Sequence, residues 1–374
     1  MGEPSDLAAT IVRRIRREGP LTLAAFTAMA LHDPARGYYA GHNPLGRAGD
    51  FVTAPEISQI FGELIGLWCA DFYDRMGRPA NVVLAELGPG RGTLMADFLR
   101  AAATQPAFSR ALKLYLVEVS PILRAEQRRR LDHAKPEFVA TLDELPDGPL
   151  LLIANEFLDA LPIRQLVRGP VDWAERLVAA DAADRLVFVD GAQSPATSLL
   201  VPPPLRNMAT GTVVEICPTA AVLAAALGER LVRQAGAALL IDYGYFPSMA
   251  GSTLAAIRRH QPADPLSDPG SADLSAHVDF ATIIAAAHTA GALAYGPVPQ
   301  GQFLTALGAG ARLAALSQRA TPAQRATLDS GLRRLIEPAQ MGTLFKVLSL
   351  TSPGLPAPAG FAVEKNQDRA ANVG

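Results

Sequence analysis

The sequence has little cysteine and no long apolar run. Its 374 residues include two cysteines, Cys69 and Cys217, which are too few for a disulfide framework and lack the spacing of a metal site. No stretch approaches the roughly 18 uninterrupted apolar residues of a transmembrane helix, and the first residues carry no apolar signal-peptide core. We therefore expect a soluble, cytoplasmic protein of a reducing compartment, with no transmembrane segment and no metal.

Excess charge of either sign is also lacking. The formal net charge is −2, so the sequence does not predict a nucleic-acid-binding protein. Hydrophobic residues make up 49% of the chain, and alanine-rich segments account for this share without a membrane. A chain of this length can bury a large core in one α/β domain with insertions.

A glycine-dense loop follows an apolar run. Residues 81–87 (NVVLAEL) read as a strand, and a helix is predicted from Thr93. Strand, glycine turn and helix open an α/β nucleotide-binding sheet, in which a ligand lies against the turn. Gly88, Gly90 and Gly92 stand at the first, third and fifth positions of the loop, whereas a dinucleotide fingerprint needs the first, third and sixth. A P-loop is excluded because no Gly-Lys-Ser/Thr follows.

An acid precedes this loop. Glu86 lies two residues before Gly88, where it would repel a phosphate but attract a ligand that carries an ammonium and a sulfonium. S-adenosyl-L-methionine is such a ligand. The pattern Glu86-x-Gly88-x-Gly90-x-Gly92 therefore reads as the first motif of a class I methyltransferase, with these residues binding the cofactor. An ordinary tight strand-to-helix turn is the alternative interpretation of the glycines.

Two further acids fit cofactor binding. Residues 113–121 (KLYLVEVSP) contain a predicted second strand that ends at Glu118, the place where Rossmann-like sheets bind the ribose hydroxyls. Asp143 follows a predicted third strand and is a candidate to hold the adenine amino group. A solvated strand end for Glu118 and a plain turn residue for Asp143 are the alternatives.

The predicted fourth strand, residues 148–157, ends in polar residues that would face the ligand crevice. Glu156 and Asp159 are candidate carboxylates for the methyl acceptor, and Asn155 is a candidate orienting residue. Glu56, which precedes the first strand, is a further candidate partner. Capping of the next helix is the alternative role of the two acids after the strand.

These elements predict an α/β fold of the class I S-adenosylmethionine-dependent methyltransferases, with a Rossmann-like, mostly parallel seven-stranded sheet. Residues 1–80 are assigned to N-terminal helices and an active-site cap, and residues 81–350 to the methyltransferase domain. Insertions are expected at 164–236 and 303–336, and a flexible tail at 351–374. Between the fifth strand and the next helix, the chain is expected to form a long loop.

Several blocks of this sequence together resemble the MidA family of S-adenosylmethionine-dependent methyltransferases. The mitochondrial members of that family are complex I assembly factors and protein arginine methyltransferases. The resemblance spans residues 5–350 and rests on the blocks GYYAGHNPLGRAGDFVTAPEISQIFGELIGLW, AELGPGRGTLMADFLR, ANEFLDALPIRQ, IDYGY, GSTLAAIRRHQPADPLSDPGSADLSAHVDF and MGTLFKVLSL.

The resemblance implies an activity and a partner. It implies symmetric dimethylation of an arginine in a core subunit of the peripheral arm of NADH:ubiquinone oxidoreductase (complex I), with the 49-kDa-type subunit as the candidate, and a role in assembling that complex. No mitochondrial targeting segment is recognised, so a bacterial relative is expected. The resemblance points to Asn155 and Glu156 for the reaction. It places cofactor binding on Glu86, Gly88, Gly90, Gly92 and Glu118.

Three other functions compete. A small-molecule methyltransferase would have a closed, narrow acceptor pocket, whereas an open groove favours a protein substrate. A non-catalytic assembly chaperone would keep the fold and bind the cofactor without turnover. An NAD-dependent oxidoreductase is least supported, because the glycine spacing is wrong and Glu86 would lie against a pyrophosphate.

Overall fold

The computed structural model describes residues 6–41, 53–258 and 260–361. Strands and helices largely alternate over residues 82–155, as in other α/β folds. The strands are β1 (Leu21–Thr22), β2 (Val82–Leu87), β3 (Leu112–Val117), β4 (Glu137–Val139), β5 (Leu150–Asn155), β6 (Arg164–Arg168), β7 (Trp173–Ala180), β8 (Leu186–Asp190), β9 (Val213–Ile216), β10 (Gly236–Tyr245), β11 (Ala255–Arg258), β12 (Gln261–Ala263), β13 (Asp273–Ser275), β14 (Val278–Asp279), β15 (Leu293–Pro299) and β16 (Phe345–Thr351).

The helices range from single turns to α5, with 17 residues. In the described ranges, none is both long enough and apolar enough to span a bilayer. The helices are α1 (Asp6–Glu18), α2 (Leu23–His32), α3 (Tyr38–Gly41), α4 (Ala54–Ile57), α5 (Gln59–Arg75), α6 (Thr93–Ala102), α7 (Pro106–Ala111), α8 (Pro121–Leu131), α9 (Pro195–Leu200), α10 (Pro218–Arg233), α11 (Phe280–Thr289), α12 (Gln300–Ala306), α13 (Ala309–Ser317) and α14 (Pro322–Ile336).

The central sheet has the strand order β15-β16-β10-β5-β2-β3-β4. Strands β10, β5, β2, β3 and β4 pair in parallel, whereas β16 is antiparallel to both β10 and β15. The two-residue β14 pairs in parallel with β10 as an eighth strand. The sequence predicts seven strands, and it misses β14 because two residues carry no periodic pattern.

Both faces of the central sheet are covered, which explains the unbroken apolar runs of its middle strands. All six residues of β2 and all six of β5 are buried, as expected for parallel strands between two helical layers. Phe98 of α6 belongs to the core on one face, and Leu227 of α10 belongs to the core on the other. Glu86 and Asn155 are therefore polar residues at the carboxyl ends of buried strands.

A second sheet, β1-β7-β6-β9 with β8 beside β7, occupies most of the predicted insertion at 164–236. Its strand β1 comes from the N-terminal region, and Phe26 of α2 shares a buried cluster with Val178 of β7. The N-terminal helices thus form one core with this sheet. Helix α10, the last element of the predicted insertion, packs against α11 and the central sheet instead.

The chain between β10 and α11 differs from the predicted long loop. It forms a three-stranded antiparallel sheet with the order β12-β11-β13. These strands are three or four residues long, too short for an alternating pattern to be recognised in the sequence. Leu274 of β13 is buried in the same cluster as Phe26, so this small sheet is attached to the N-terminal helices.

The first part of the predicted tail packs against helices. Trp68 Nε1 of α5 donates a hydrogen bond to the Ala359 carbonyl at 3.0 Å, and Arg75 donates to the Ala357 carbonyl at 2.8 Å. Phe361 is buried against Phe303 of α12, with ring centroids 5.4 Å apart. The rest of the predicted tail, 362–374, and residues 42–52 of the predicted cap lie outside the described residues.

Helices α5 and α6 approach each other closely through glycine. A Cβ atom added at Gly62 would lie 2.8 Å from the Leu94 carbonyl oxygen and 2.7 Å from the Asp97 Cβ atom. At Gly66, an added Cβ atom would lie 2.8 Å from the Phe98 carbonyl oxygen. Because the obstructing atoms belong to backbone or lie next to it, they cannot turn aside. These two glycines thus set the position of α6, the helix that begins directly after the glycine-dense loop.

We expect Gly62→Ala to destabilise the protein by about 1–3 kcal/mol, because the added methyl group overpacks the α5–α6 contact. Thermal unfolding of the full chain measures the loss as a lower midpoint. Gly310→Ala in α13 is the matched control, since nothing lies within 4 Å of an added Cβ atom there. The control should gain stability from the higher helix propensity of alanine. Equal midpoints for the two variants would contradict this packing account.

Candidate functional site

A cavity opens at the carboxyl edge of the central sheet, where β2 and β5 end. Its empty volume, which includes space open to solvent, is about 430 Å³. The cap helix α4, the two strand ends and the glycine-dense loop supply its walls. The lining residues are Thr53, Pro55, Glu56, Glu86, Gly88, Pro89, Gly90, Arg91, Thr93, Leu94, Asn155 and Glu156.

The loop backbone explains the glycine pattern. Gly88, Gly90 and Gly92 have φ angles of +59°, +52° and +74°, in the left-handed region that other residues rarely adopt. At Gly88 an added Cβ atom would also lie 2.8 Å from Cδ2 of Phe157. The glycines are therefore required by the backbone path, and this path keeps side chains out of the space beside the loop.

Glu86 is a buried acid that faces this space. It is 3% exposed, and within the described part of the chain its Oε2 atom has no hydrogen-bond partner. Burial raises the pKa of Glu86 to about 8. A buried carboxyl with an open oxygen is unfavourable until a cation or donor arrives, so this end of the cavity suits an ammonium group.

Glu118 is held beside the loop by a network that the sequence did not reveal. Its Oε1 atom accepts from the Ser120 amide at 2.8 Å, and its Oε2 atom accepts from Gln127 Nε2 at 3.3 Å. Gln127 Nε2 also donates to the Gly90 carbonyl at 2.6 Å. The fully buried Gln127 thus joins the strand-end acid to the loop. A single glutamine in an arginine-rich helix gives no signal of this role.

Asp143 lies apart from these residues. It is exposed, in a 3₁₀ turn over Leu142–Glu144, and it does not line the cavity. Its contact with the adenine group stays a prediction.

The candidate reaction end of the cavity is formed by Asn155 and Glu156, which line it at the end of β5. Glu156 Oε1 accepts hydrogen bonds from the Ala54 amide at 3.1 Å and from Asn155 Nδ2 at 3.2 Å. Burial is the main cause that raises the pKa of Glu156 to about 7. The Oδ1 atom of Asn155 is buried without a partner in the described chain. One carboxylate oxygen of Glu156 is therefore fixed by a cap amide and an adjacent side chain.

Asp159 lies next to this end but does not line the cavity. The hydroxyl of Tyr243 hydrogen-bonds its carboxyl group, and burial raises the pKa of Asp159 to about 6. Burial, followed by the charges of Asp273 and Asp159, raises the pKa of Tyr39 in the N-terminal region, and the Tyr39 hydroxyl donates a hydrogen bond to Asp273 Oδ1 at 3.0 Å. The structure thus brings together acids and tyrosines from four separate parts of the chain.

The cap is attached to both ends of the cavity. Glu56 of α4 accepts a hydrogen bond from the Thr93 hydroxyl at 2.5 Å, next to the glycine-dense loop. The first amide of α4, Ala54, donates to Glu156 at the other end. Glu56 therefore lies beside the glycine-dense loop, and its role as a partner for the acceptor stays a prediction.

Comparison with known proteins agrees with this geometry. A family model for S-adenosyl-L-methionine-dependent methyltransferases matches residues 64–298. "Protein arginine methyltransferase NDUFAF7 homolog, mitochondrial" of Drosophila melanogaster is 37% identical over 92% of this chain and 84% of its own length. This chain belongs to the MidA family. The human relative, "Protein arginine methyltransferase NDUFAF7, mitochondrial", is 33% identical over 93% of this chain and 85% of its own length.

The solved structure of a similar protein contains a bound ligand. A Burkholderia thailandensis protein bound to S-adenosyl-homocysteine aligns with a TM-score of 0.82 and 29% identity, over 95% of this chain and 93% of that one. This MidA protein is therefore an S-adenosylmethionine-dependent methyltransferase with the class I fold. The open oxygens of Glu86 and Asn155 and the glycine loop between them fit that cofactor.

We expect Glu86→Gln to weaken binding of S-adenosylmethionine, because a neutral amide cannot form an ion pair with the ammonium group. Since the pKa of Glu86 is raised to about 8, the wild type should release about one proton per cofactor bound at pH 7. Calorimetric titration in buffers of different ionisation enthalpy measures this release. Unchanged affinity and proton release in the variant would contradict the assignment.

Thermal unfolding of the ligand-free protein provides the control for Glu86→Gln. A carboxyl whose pKa is higher in the folded than in the unfolded state lowers stability as the pH rises. Ligand-free Glu86→Gln should therefore melt no lower than the wild type at pH 8. Glu229→Gln, which alters an exposed residue of α10, should match the wild type in both titration and melting.

Proposed function

We propose that this protein methylates an arginine in a protein, and that the acceptor is a core subunit of the peripheral arm of complex I. Symmetric dimethylarginine is the proposed product, and the methylation aids assembly of that complex. One observation carries the proposal. The fixed carboxyl of Glu156 lines the same cavity as Glu86 and the glycine-dense loop, so a cationic acceptor side chain at Glu156 would lie beside the bound cofactor.

The relatives support the acceptor class. The Drosophila and human proteins are both named protein arginine methyltransferases. The resemblance of this chain to MidA proteins supports complex I as the larger target. The 49-kDa-type subunit is the first acceptor to test.

The chemistry of a guanidinium explains why acids are needed. An arginine side chain stays protonated at neutral pH, and its nitrogens share the positive charge. A carboxylate paired with one edge of the group localises that charge on the nearer nitrogens and leaves the opposite nitrogen more electron-rich. Glu156 and Asp159 supply such carboxylates. Because both have pKa values raised by burial, a cation that enters would favour their ionised forms.

The chain mainly orients the acceptor and takes up its proton. The Ala54 amide and Asn155 hold Glu156 Oε1, and the Tyr243 hydroxyl holds Asp159. S-adenosylmethionine would supply a methyl group bonded to a sulfonium sulfur. The acceptor nitrogen would attack the methyl carbon in line with the departing sulfur. A new N–C bond replaces the S–C bond, and one guanidinium proton is lost. Glu156, which lines the cavity, would receive that proton.

The acceptor is tested with the full-length protein and methyl-labelled S-adenosylmethionine. Purified peripheral-arm subunits of complex I from the same organism serve as substrates, and mass spectrometry locates the label. We expect label on an arginine of one core subunit. Label on a small metabolite in a cell extract, with none on protein, would overturn the proposal in favour of a small-molecule methyltransferase. Cofactor binding without turnover on any acceptor would leave the assembly-chaperone function.

We expect Glu156→Gln to lower kcat on this acceptor by about 10²- to 10³-fold, with the cofactor Kd unchanged. Since the pKa of Glu156 in the free enzyme is raised to about 7 and the ionised form pairs with the guanidinium, the wild-type kcat/KM should rise with pH through about 7. The variant should lose this rise. Glu144→Gln, at an exposed position, is the matched control. Wild-type turnover in Glu156→Gln would contradict the role.

A further inference from the structure

Asp242 is a fully buried acid next to the reaction end of the cavity. It lies in β10, beside β5, and it is 0% exposed. Its Oδ2 atom accepts from the Leu158 amide at 2.9 Å and from the Asp159 amide at 3.2 Å, and its Oδ1 atom accepts from the Tyr243 amide at 2.9 Å. Three backbone donors converge on one side chain, and two of them belong to the turn that follows β5.

That turn has a conformation that needs support. Glu156 has a φ angle of +51°, in the left-handed region that costs a residue other than glycine about 1 kcal/mol or more. The Glu156 amide donates to the Ile241 carbonyl of β10 at 2.9 Å. Strand β10 thus contacts the turn at its start through Ile241 and further along through Asp242.

We propose that Asp242 is the positioning residue of the reaction site: its carboxyl group holds the Leu158 and Asp159 amides and so fixes the turn that presents Glu156 and Asp159. This inference rests on the proposed function of Glu156 and Asp159. Asp242 does not line the cofactor cavity, so it acts on the acceptor side through the turn. Substituting it should leave the cofactor side intact.

The test is Asp242→Asn in the full-length protein. Asparagine keeps the size of the side chain, but one oxygen becomes an NH₂ group that opposes the backbone N–H donors. We expect kcat on the acceptor to fall about ten- to hundredfold, as for a small misplacement of reacting groups. The Kd of S-adenosylmethionine and the KM of the acceptor should change less than about threefold, since no group that binds either is removed.

Leu240→Ala is the control for an effect of lost stability alone. Leu240 is buried in the same strand, and its truncation should destabilise the protein by about 2–5 kcal/mol. Measured well below both unfolding midpoints, Leu240→Ala should keep the wild-type kcat. If Asp242→Asn also keeps it, or if the two variants lose kcat equally, the positioning role is wrong.

Hydrogen exchange separates this inference from the acceptor assignment. In the wild type with S-adenosylhomocysteine, the Leu158 and Asp159 amides should exchange as slowly as those of β5, and in Asp242→Asn they should exchange faster. This comparison decides whether Asp242 holds the turn even if the wild type methylates no complex I subunit. If the variant does not fold, the wild type alone decides, because unprotected Leu158 and Asp159 amides would overturn the inference.

Discussion

The burial of Glu86 is the constraint on which the rest of the site depends. This acid is the last but one residue of a strand whose six residues are all buried, so its carboxyl group is removed from water by the packing of the sheet itself. One of its oxygens has no partner within the described chain, which makes its charged form unfavourable until a cation binds. The glycine-dense loop leaves the adjacent space free of side chains, and we propose that this space receives the methionine part of the cofactor.

Each end of the cavity contains a buried acid whose charged form is unfavourable without a cation. Burial raises the pKa of Glu86 at one end and of Glu156 at the other. We propose that an ammonium group compensates the first acid and that a guanidinium compensates the second. Because β2 and β5 are neighbouring parallel strands, about 4.8 Å apart, a methyl donor at the end of β2 would lie beside an acceptor at the end of β5.

Much of this arrangement could be predicted from local sequence. The strands that lead to Glu86, Glu118 and Glu156 are mostly apolar runs, and the glycine spacing distinguished the cofactor class. What could not be predicted depends on contacts between distant parts of the chain. Gln127 is buried only because α8 lies against the loop, and β1 exists only because β7 offers an edge to pair with. Asp242 reads as an ordinary strand end until the neighbouring turn is in place.

A crystal structure with S-adenosylhomocysteine and an arginine-containing peptide from the acceptor subunit tests the account most directly. The account predicts that the ligand ammonium lies within hydrogen-bond distance of Glu86, and that the peptide guanidinium pairs with Glu156 with one nitrogen facing the ligand sulfur. A guanidinium bound away from Glu156, or an ammonium paired with another residue, would contradict the account.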